Sequence, residues 1–381
     1  AILNAGKKPF ILAGRGPLGA REELEAMGDR LGAPVGMPLL GKGAIPDDSP
    51  FAVGGVGLLG TAPAQAALEQ CDTLLIVGSS FPYIEYYPKP GFARAVQDEV
   101  DPRRIGLRYP VEAGLVGDSK RVLSALLPLV SRSEDRSWLE QSQGAMQGWR
   151  DLMEERGTRR DTPMKPEVVT HELDRLIAED AIIATDSGTV TTWVARQIVM
   201  RGDRMFSCSG NLASMACAVP YAIAAALAFP DRQIVAVIGD GAAAMLMGEL
   251  VTLRKYGLDV KVIVIKNNSL GMIKWEQMVF LGNPEYGCEL EPIDFVKVAE
   301  GCGLRGVHIE DSERCGEQLA EALSTPGPCL VEALVDPHTP PMPPKVTAEE
   351  ALHFAEALAR GTPHAGKIAL TVASDTVREL V

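Results

Sequence analysis

Short apolar runs alternate with helix-like segments along most of the chain. In its first part, residues 9–13 and 73–77 are continuous apolar runs of strand length, and residues 20–31 and 62–70 have the pattern of helices. Regular alternation of buried strands and helices is typical of a parallel sheet covered by helices on both faces. The pattern therefore predicts an α/β domain within residues 8–130.

A second block of the same texture covers residues 166–337. Its predicted strands are the apolar runs at residues 181–185, 233–238, 260–265 and 329–335. Residues 131–165 are polar and charged and contain no strand pattern, which favours a connecting arm with one amphipathic helix. We therefore predict an α/β protein with two doubly wound parallel-sheet domains.

The domain limits follow from these changes of texture and from the prolines that open the last segment. In chain order we expect a first domain, a linker arm, a second domain and a tail, at residues 1–133, 134–165, 166–337 and 338–381. The tail is predicted to contain one helix, at residues 347–360.

Composition narrows the classes of protein that fit this pattern. The net charge of −13 argues against a nucleic-acid partner, because such proteins need a basic surface. The seven cysteines lack the spacing of a zinc site or a disulfide framework, and they indicate reduced, buried thiols. Because neither a signal peptide nor an apolar stretch of membrane-spanning length is visible, we expect a cytoplasmic protein.

Two consecutive predicted strands end in groups suited to a cation. The strand at residues 233–238 leads to Asp240, and the strand at residues 260–265 leads to Asn267. Parallel strands present their carboxyl ends at the ligand-binding edge of an open sheet, and Mg²⁺ prefers oxygen ligands. Without a ligand, the first of these turns would be an ordinary strand–helix connection capped by Asp240.

The residues around Asp240 also suit a diphosphate. Gly239 and Gly241 allow the backbone to approach phosphate oxygens closely. Ala242 and Ala243 open a predicted helix whose N–H groups favour an anion.

The spacing of 27 positions from Asp240 to Asn267 resembles the signature of thiamine-diphosphate enzymes. Across essentially the whole chain, the sequence is similar to that of pyruvate oxidases and acetohydroxyacid synthases. The resemblance implies that Asp240, Asn267 and the carbonyl of Ser269 hold a Mg²⁺ ion. The family usually has two consecutive asparagines where this chain reads Lys266-Asn267, so Asn268 is the alternative ligand.

Other segments resemble the thiamine-binding loops of the same family. The resemblance implies that Met215 supports thiamine diphosphate in a bent conformation and that Met272 and Glu276 take part in catalysis. The further cofactor-binding residues that it implies lie in the loops after the second domain's strands: Asp186, Gly188, Thr189, Gly239, Gly241, Ala242, Ala243, Ser269, Gly271 and Met272.

The helix after the metal loop distinguishes members of the family. Glu276 lies nine positions after Asn267, as in pyruvate oxidases, whereas acetohydroxyacid synthases have a specificity tryptophan there and Trp275 comes one residue early. The expected activity is oxidative decarboxylation of a 2-keto acid, most of all pyruvate, with electrons passed to FAD and then to oxygen or a quinone. The alternatives are an acetolactate-synthase-like carboligase, a non-oxidative decarboxylase, and a non-catalytic partner module.

The first domain opens with a GxGxxG motif after its first strand, which alone would suggest NAD. The acidic residue that an NAD site requires at the end of the second strand is absent. The domain instead resembles the Rossmann-like central domain that binds FAD in the family, and the alternative is that it keeps the fold without the flavin. The residues implied for FAD are Gly14, Gly16, Gly57, Leu58, Gly78, Ser79, Phe81 and Glu99.

The resemblance covers the second and third of the family's three domains. In the family, the first domain supplies the glutamate that activates thiamine, from a neighbouring subunit. We therefore expect a homodimer or homotetramer, and negligible turnover from residues 1–381 by themselves. The predicted tail helix lacks the basic face of a surface-binding helix, so membrane docking has no support.

Overall fold

The computed structural model describes residues 1–379, with side chains described as far as residue 374. Residues 380 and 381 of the predicted tail lie outside this part of the chain. The chain divides into two compact units. The first unit comprises Ala1–Asp151 and Val199–Gly202, and the second comprises Leu152–Ile198 and the chain from Asp203 onward.

The first unit is built on a six-stranded sheet in which all neighbouring strands are parallel. Its strands are β1 (Pro9–Ala13), β2 (Val35–Pro38), β3 (Ala52–Val56), β4 (Thr73–Val77), β5 (Arg94–Glu99) and β6 (Ala113–Val116). The helices of this part of the chain are α1 (Ile2–Ala5), α2 (Arg21–Leu31), α3 (Ala62–Gln70), α4 (Ser119–Leu126) and α5 (Ser137–Gly157).

Buried strands in the middle of this sheet explain its two helical layers. Alternate residues of β1 enter different cores, with Ile11 packing on the side of α2 and Phe10 on the side of α3. The strand order β3-β2-β1-β4-β5-β6 is that of a Rossmann fold. The chain changes direction between β1 and β4, so the carboxyl ends of these strands border a crevice.

The second unit has a sheet of the same size and also wholly parallel, in the order β11-β12-β10-β9-β7-β8. Its strands are β7 (Ile182–Thr185), β8 (Met205–Ser207), β9 (Ile234–Gly239), β10 (Val260–Lys266), β11 (Arg305–Ile309) and β12 (Cys329–Leu334). The helices that follow α5 are α6 (Pro166–Leu176), α7 (Thr189–Gln197), α8 (Ala218–Ala228), α9 (Asp240–Met245), α10 (Glu249–Tyr256), α11 (Gly271–Val279), α12 (Phe295–Gly301), α13 (Cys315–Ser324), α14 (Ala348–Ala359) and α15 (Ala365–Glu379).

The second sheet also has a point where the strand order reverses. After β7 the chain adds β8 on one side, and it then crosses to place β9 on the other side. Ligands of open α/β sheets bind beside the carboxyl ends of the strands at such a point. The predicted class, two doubly wound parallel-sheet α/β domains, is confirmed.

Two features of the side chains and helices agree with the sequence. All seven cysteines are free, and all but Cys302 are buried. Within residues 1–379, none of the helices is both long and apolar enough to cross a membrane.

Candidate functional site

Loops from three parts of the second unit pack together at the carboxyl edge of its sheet. A Cβ atom added to Gly271 would lie 3.0 Å from the Thr189 Cγ2 atom and 3.2 Å from the Asn267 amide nitrogen. A Cβ atom added to Gly241 would lie 3.1 Å from the Leu270 Cδ2 atom. The structure thus brings together the loops after β7, β9 and β10, which the sequence predicted to share a site.

Asp240 lies at the carboxyl end of β9 with only 6% of its surface exposed. Its Oδ1 atom accepts the backbone N–H of Gly241 at 3.0 Å, and its Oδ2 atom accepts the backbone N–H of Asn268 at 2.6 Å. Burial raises the pKa of the Asp240 carboxyl above its ordinary value, and the backbone donors offset part of this rise. A bound cation would favour the charged form of this buried group.

Asn267 reaches the same edge because β9 and β10 are in register, with Ile265 opposite Gly239. The Asn267 side-chain oxygen accepts the backbone N–H of Ser269 at 3.0 Å, which tightens the loop. Asn268 has a φ of 52°, a left-handed conformation that asparagine tolerates, and its backbone N–H donates to Asp240. Asn268, the predicted alternative ligand, therefore stabilises this loop through its backbone N–H, which binds Asp240.

Ser269 forms an isolated antiparallel bridge with Glu289. The hydrogen bonds of this bridge belong to the neighbours, since Leu270 donates to the Cys288 carbonyl at 2.8 Å and Leu290 donates to the Asn268 carbonyl at 3.0 Å. In such a pairing the carbonyl of the central residue points away from the opposing strand. The Ser269 carbonyl is thus turned away from Glu289, with its backbone fixed on both sides.

The donor set fits a magnesium ion. It comprises one buried carboxylate, one amide oxygen and one backbone carbonyl, which leaves coordination positions for phosphate oxygens. Within the described part of the chain, no group of three or more His, Cys, Asp or Glu side chains could hold a metal ion. A site of this composition suits a cation that shares its ligands with a bound diphosphate.

Asp186, which the sequence placed among the diphosphate-binding residues, is fully buried. Its Oδ1 atom accepts the backbone N–H groups of Ser187 at 2.8 Å and Ala216 at 2.7 Å, and its Oδ2 atom accepts that of Ala218 at 3.1 Å. The carboxylate thereby fixes the loop before α8. Burial raises the pKa of Asp186, and these N–H donors lower it in part.

Met215 lies in this anchored loop and contacts the turn after β9. Its methyl carbon would be 3.6 Å from a Cβ atom at Gly241, and Met215 packs against the apolar core of the second unit. Ala213 and Ala216 have positive φ values of 48° and 69°, which are unfavourable for alanine. The hydrogen bonds to Asp186 hold the loop in this strained shape, with Met215 directed at the turn that carries Asp240.

The remaining second-unit residues that the sequence predicted occupy the same edge. Gly188 precedes α7 with a φ of 131°, and Gly239, Ala242 and Ala243 surround the start of α9. Met272 and Glu276 are half-buried on α11, the helix that begins directly after the metal loop.

The first-unit residues predicted to bind FAD form two groups. In the first group, the glycine loop after β1 packs on the turn after β4. Gly14 donates its backbone N–H to the Val77 carbonyl at 2.9 Å, and Gly16 donates to the Gly78 carbonyl at 3.0 Å. A Cβ atom at Gly14 would lie 2.4 Å from the Gly78 oxygen, and Ser79 is adjacent and buried. Backbone packing therefore accounts for Gly14 in this motif.

The second group lies after β3 and β5. Gly57 has a φ of 101° and faces the Phe81 ring, which would be 2.8 Å from an added Cβ atom, and the neighbouring Leu58 is half-buried. Glu99 is buried, and its Oε1 atom accepts the backbone N–H of Val100 at 3.0 Å. The second group therefore combines an apolar surface with a carboxylate at the edge of the sheet.

Sequence reasoning missed several residues that shape these sites. The segment from Cys288 to Leu290, which pairs with the metal loop, carries no motif. Asp98 is not among the predicted site residues, yet it is fully buried and neither carboxyl oxygen has a hydrogen-bond partner among the described residues. The strand that contains Asp98 also carries Arg94, Gln97 and Glu99, so no apolar pattern marks this carboxyl as buried.

Comparison with known proteins agrees with this site. Residues 186–333 match the family model for the C-terminal TPP binding domain of thiamine pyrophosphate enzymes. Residues 1–126 match the model for the central domain of the same enzymes.

Individual relatives point the same way. The chain is 41% identical over 354 residues to YdaP of Bacillus subtilis, a putative thiamine pyrophosphate-containing protein. The matched region covers 93% of this chain and 61% of YdaP. It is 30% identical to the acetolactate synthase large subunit of Parasynechococcus marenigrum, covering 88% of this chain and 55% of the relative. It is 29% identical to the pyruvate oxidase of Lactiplantibacillus plantarum, and the match covers 87% of this chain and 56% of that relative.

The chain thus spans 55% to 61% of the length of these relatives. Both units match domains of one family, and the second unit has the donor set for a metal-bound diphosphate. The chain therefore belongs to the thiamine pyrophosphate enzymes, of which it contains the central domain and the C-terminal cofactor-binding domain.

Proposed function

We propose that this chain works in an enzyme that decarboxylates a 2-keto acid with thiamine diphosphate and Mg²⁺. Pyruvate is the substrate that we propose, with FAD as the acceptor of two electrons. The observation that carries the oxidative assignment is the arrangement of α11. Trp275 on this helix is buried, whereas Glu276 is only half-buried, so its carboxylate could reach a substrate.

Trp275 packs away from the metal loop, in an apolar cluster with the tail. Its ring lies 6.3 Å from that of Phe354 on α14, and Met278, Ala357 and Ile368 complete the cluster. A tryptophan held in this way does not serve as the wall of a substrate pocket. This supports a pocket unlike that of acetohydroxyacid synthases, in which a tryptophan occupies the position of Glu276.

Met272 and Glu276 are four positions apart, so they lie on one face of α11. Both are half-buried, and α11 starts at Gly271 against Thr189 and Asn267. A methionine followed by a carboxylate along this face would give the substrate an apolar contact near the cofactor and an acid–base group one turn further on.

The other residues of the site have separate roles in this proposal. Asp240, Asn267 and the Ser269 carbonyl would hold the Mg²⁺ ion, and Met215 would support the cofactor from the opposite loop. Thiamine diphosphate, when bound, supplies an acidic ring carbon and an electron sink for decarboxylation. Glu276 would hydrogen-bond the substrate and hold or move a proton at its reacting oxygen.

FAD would bind at the carboxyl edge of the first sheet. Gly57 and Phe81 would provide an apolar surface, and Glu99 would accept a hydrogen bond from a hydroxyl group of the dinucleotide. Gly14, Gly16, Gly78 and Ser79 would line the crevice between β1 and β4. The Rossmann strand order and the crevice at its switch point support this part of the proposal.

A carboligase is the second candidate. It is favoured by the acetolactate synthase relatives, since two probable large subunits of that enzyme are 31% and 32% identical to the chain and the pyruvate oxidase is 29% identical. Two measurements with pyruvate distinguish the reactions. An oxidase would reduce its flavin, whereas a carboligase would form acetolactate.

The first experiment is a visible absorption spectrum of the purified chain, combined with thermal unfolding in the presence of thiamine diphosphate and Mg²⁺. We expect a flavin spectrum and an increase in melting temperature that requires both thiamine diphosphate and the metal, because ligands of the folded state stabilise it. Absence of this stabilisation at saturating concentrations would contradict the cofactor assignment. A chain without flavin that still binds thiamine diphosphate would overturn the oxidase and favour the carboligase.

We also propose that the protein is a homo-oligomer, either a dimer or a tetramer, and cytoplasmic. Leu246, Met247 and Val251 on the second unit are each more than 40% exposed, a cluster of apolar side chains that association would bury. Sedimentation of the full chain checks this, and a monomer at micromolar concentration would contradict it.

A further inference from the structure

Two charged residues face each other inside the second sheet, directly behind the proposed metal loop. Lys266 ends β10 and Glu332 lies in β12, and both are almost completely buried, with 7% and 4% of their surfaces exposed. Lys266 Nζ lies 3.1 Å from Glu332 Oε2. An ion pair placed among apolar strands costs desolvation energy, so its presence calls for a specific role.

The pair joins several parts of the chain. Lys266 also donates to the Ile293 carbonyl at 2.5 Å, and Glu332 Oε2 accepts the backbone N–H of Phe295 at 2.8 Å. The other oxygen of Glu332 lies 2.9 Å from His308 Nδ1 on β11. Three neighbouring strands and the entrance to α12 are therefore fixed around one buried charge pair.

This network ends one residue before the proposed metal ligand Asn267. The Lys266 carbonyl accepts the backbone N–H of Val335 at 2.9 Å, so both the backbone and the side chain of Lys266 are held. Because the Lys266 ammonium is already bonded to Glu332 and Ile293, it acts on the site through the backbone of β10.

We propose that Lys266 and Glu332 are positioning residues, which fix the end of β10 so that Asn267 meets Mg²⁺ in the correct geometry. This inference rests on the cofactor-binding function proposed above. Mg²⁺ requires near-ideal octahedral coordination, so a displaced ligand weakens its binding. Partners that orient metal ligands typically change metal affinity by about 10–100-fold when removed.

The direction in which one substitution changes the Mg²⁺ affinity distinguishes a positioning role from a purely electrostatic one. Lys266→Met removes a positive charge, which by Coulomb interaction alone would strengthen the binding of a nearby cation. Loss of positioning predicts the opposite, namely weaker Mg²⁺ binding.

β10 contains a matched control at its other end. Lys261 is also buried, with 3% exposed, and it bonds to Asp259 at 2.5 Å and to the Gly327 carbonyl at 2.7 Å. Lys261→Met removes the same charge from a buried lysine of the same strand, far along it from Asn267, and the carboxylate partner that it leaves behind, Asp259, is exposed.

The test is a Mg²⁺ titration of the full chain at saturating thiamine diphosphate, followed by the increase in melting temperature. We expect Lys266→Met to raise the half-saturating Mg²⁺ concentration by about 10-fold or more. Lys261→Met should lower the melting temperature of the metal-free protein while leaving the half-saturating concentration unchanged. Equal Mg²⁺ responses in the two variants, or tighter binding by Lys266→Met, would overturn the inference.

Lys266→Arg covers the case in which Lys266→Met does not fold. It keeps the charge but moves the donors, so positioning predicts a weaker Mg²⁺ response, and an unchanged response would count against the inference. The unmodified chain separates the two levels of argument. If it shows no response to thiamine diphosphate with Mg²⁺, the proposed function fails and this inference falls with it. If it responds normally and the Lys266 variants do too, only this inference fails.

Discussion

The Asp186 carboxylate accepts the backbone N–H of Ala216 at 2.7 Å, although 30 positions separate the two residues. A buried acid at the end of β7 thereby determines the shape of the loop that carries Met215. Asp186 is thus a structural anchor of the candidate site.

Replacement of Asp186 by alanine should loosen this loop. The backbone N–H groups of Ala216 and Ala218 would lose their acceptor, which costs about 1–3 kcal/mol for a buried donor left unpaired. We expect a lower free energy of unfolding and a weaker stabilisation by thiamine diphosphate with Mg²⁺, both measured by thermal and urea unfolding. Ser187→Ala is the control, because its hydroxyl makes one exposed bond to the Ser214 carbonyl. A similar loss in both variants would argue against the anchor.

Replacement of Asp240 by asparagine should abolish the metal response with little change of shape. The amide lacks the negative charge, and one of its ends cannot accept the N–H of Gly241 or Asn268. The half-saturating Mg²⁺ concentration should rise by more than about 100-fold, since even outer partners of metal ligands contribute about 10–100-fold. Isothermal titration with Mg²⁺ at saturating thiamine diphosphate measures this. Retention of normal Mg²⁺ affinity would remove Asp240 from the metal site, and Asp231→Asn, an exposed change in the same unit, is the control.

The glycine loop of the first unit offers a test of backbone packing. Gly14→Ala would place a Cβ atom 2.4 Å from the Gly78 oxygen, whereas Gly19→Ala meets nothing within 4 Å. We expect Gly14→Ala to lower the free energy of unfolding of the first unit by about 3 kcal/mol, the upper end of the usual cost of overpacking, and Gly19→Ala to be nearly neutral. Urea unfolding of both variants checks the difference, and a well-folded Gly14→Ala protein would show that the two turns can separate.

Asp98 should make the first unit less stable as the pH rises. Burial raises the pKa of its carboxyl from 3.8 to about 6, and the neighbouring charges of Glu99 and Asp118 contribute to this rise. Between these values the folded protein retains a proton that the unfolded chain has released, so the free energy of unfolding falls as the pH increases.

Asp98→Asn removes this ionisation. The variant should gain about 2 kcal/mol in the free energy of unfolding at pH 7 and almost nothing below about pH 3, where the carboxyl is protonated in both the folded and the unfolded states. Urea unfolding at several pH values measures the difference. Asp48→Asn, an exposed change in the same unit, controls for the loss of one charge. An equal gain for the two variants, or a gain for Asp98→Asn that does not depend on pH, would contradict the assignment.

The central strands were predictable because they are buried on both faces. β1 and β4 match the predicted runs at residues 9–13 and 73–77, and β10 extends the predicted run by one residue. The edge strands β8 and β11 could not be predicted in this way, because they are short and partly exposed. The sequence of β11 also includes the polar residues Arg305 and His308. Their strand conformation depends on a neighbour, β7 or β12, that the sequence does not name.

The residues of the candidate site also fall into those that the sequence could predict and those that it could not. The Asp240 turn and the Asn267 loop could be predicted, because short-range turn chemistry follows directly from sequence at the ends of apolar strands. The role of Asp186 could not, because its acceptor function depends on a loop that closes back on it.

The sequence by itself determined the two α/β units, the positions of their main strands along the chain and the place of Asp240 and Asn267 at the ends of two of them, since each is encoded within a few neighbouring residues. The tertiary structure decided which buried charges meet. Lys266 finds Glu332 across 66 positions, and Trp275 turns toward Phe354 on a helix of the tail. The strand pattern gives the face on which a side chain lies, but only packing of distant segments supplies its partner.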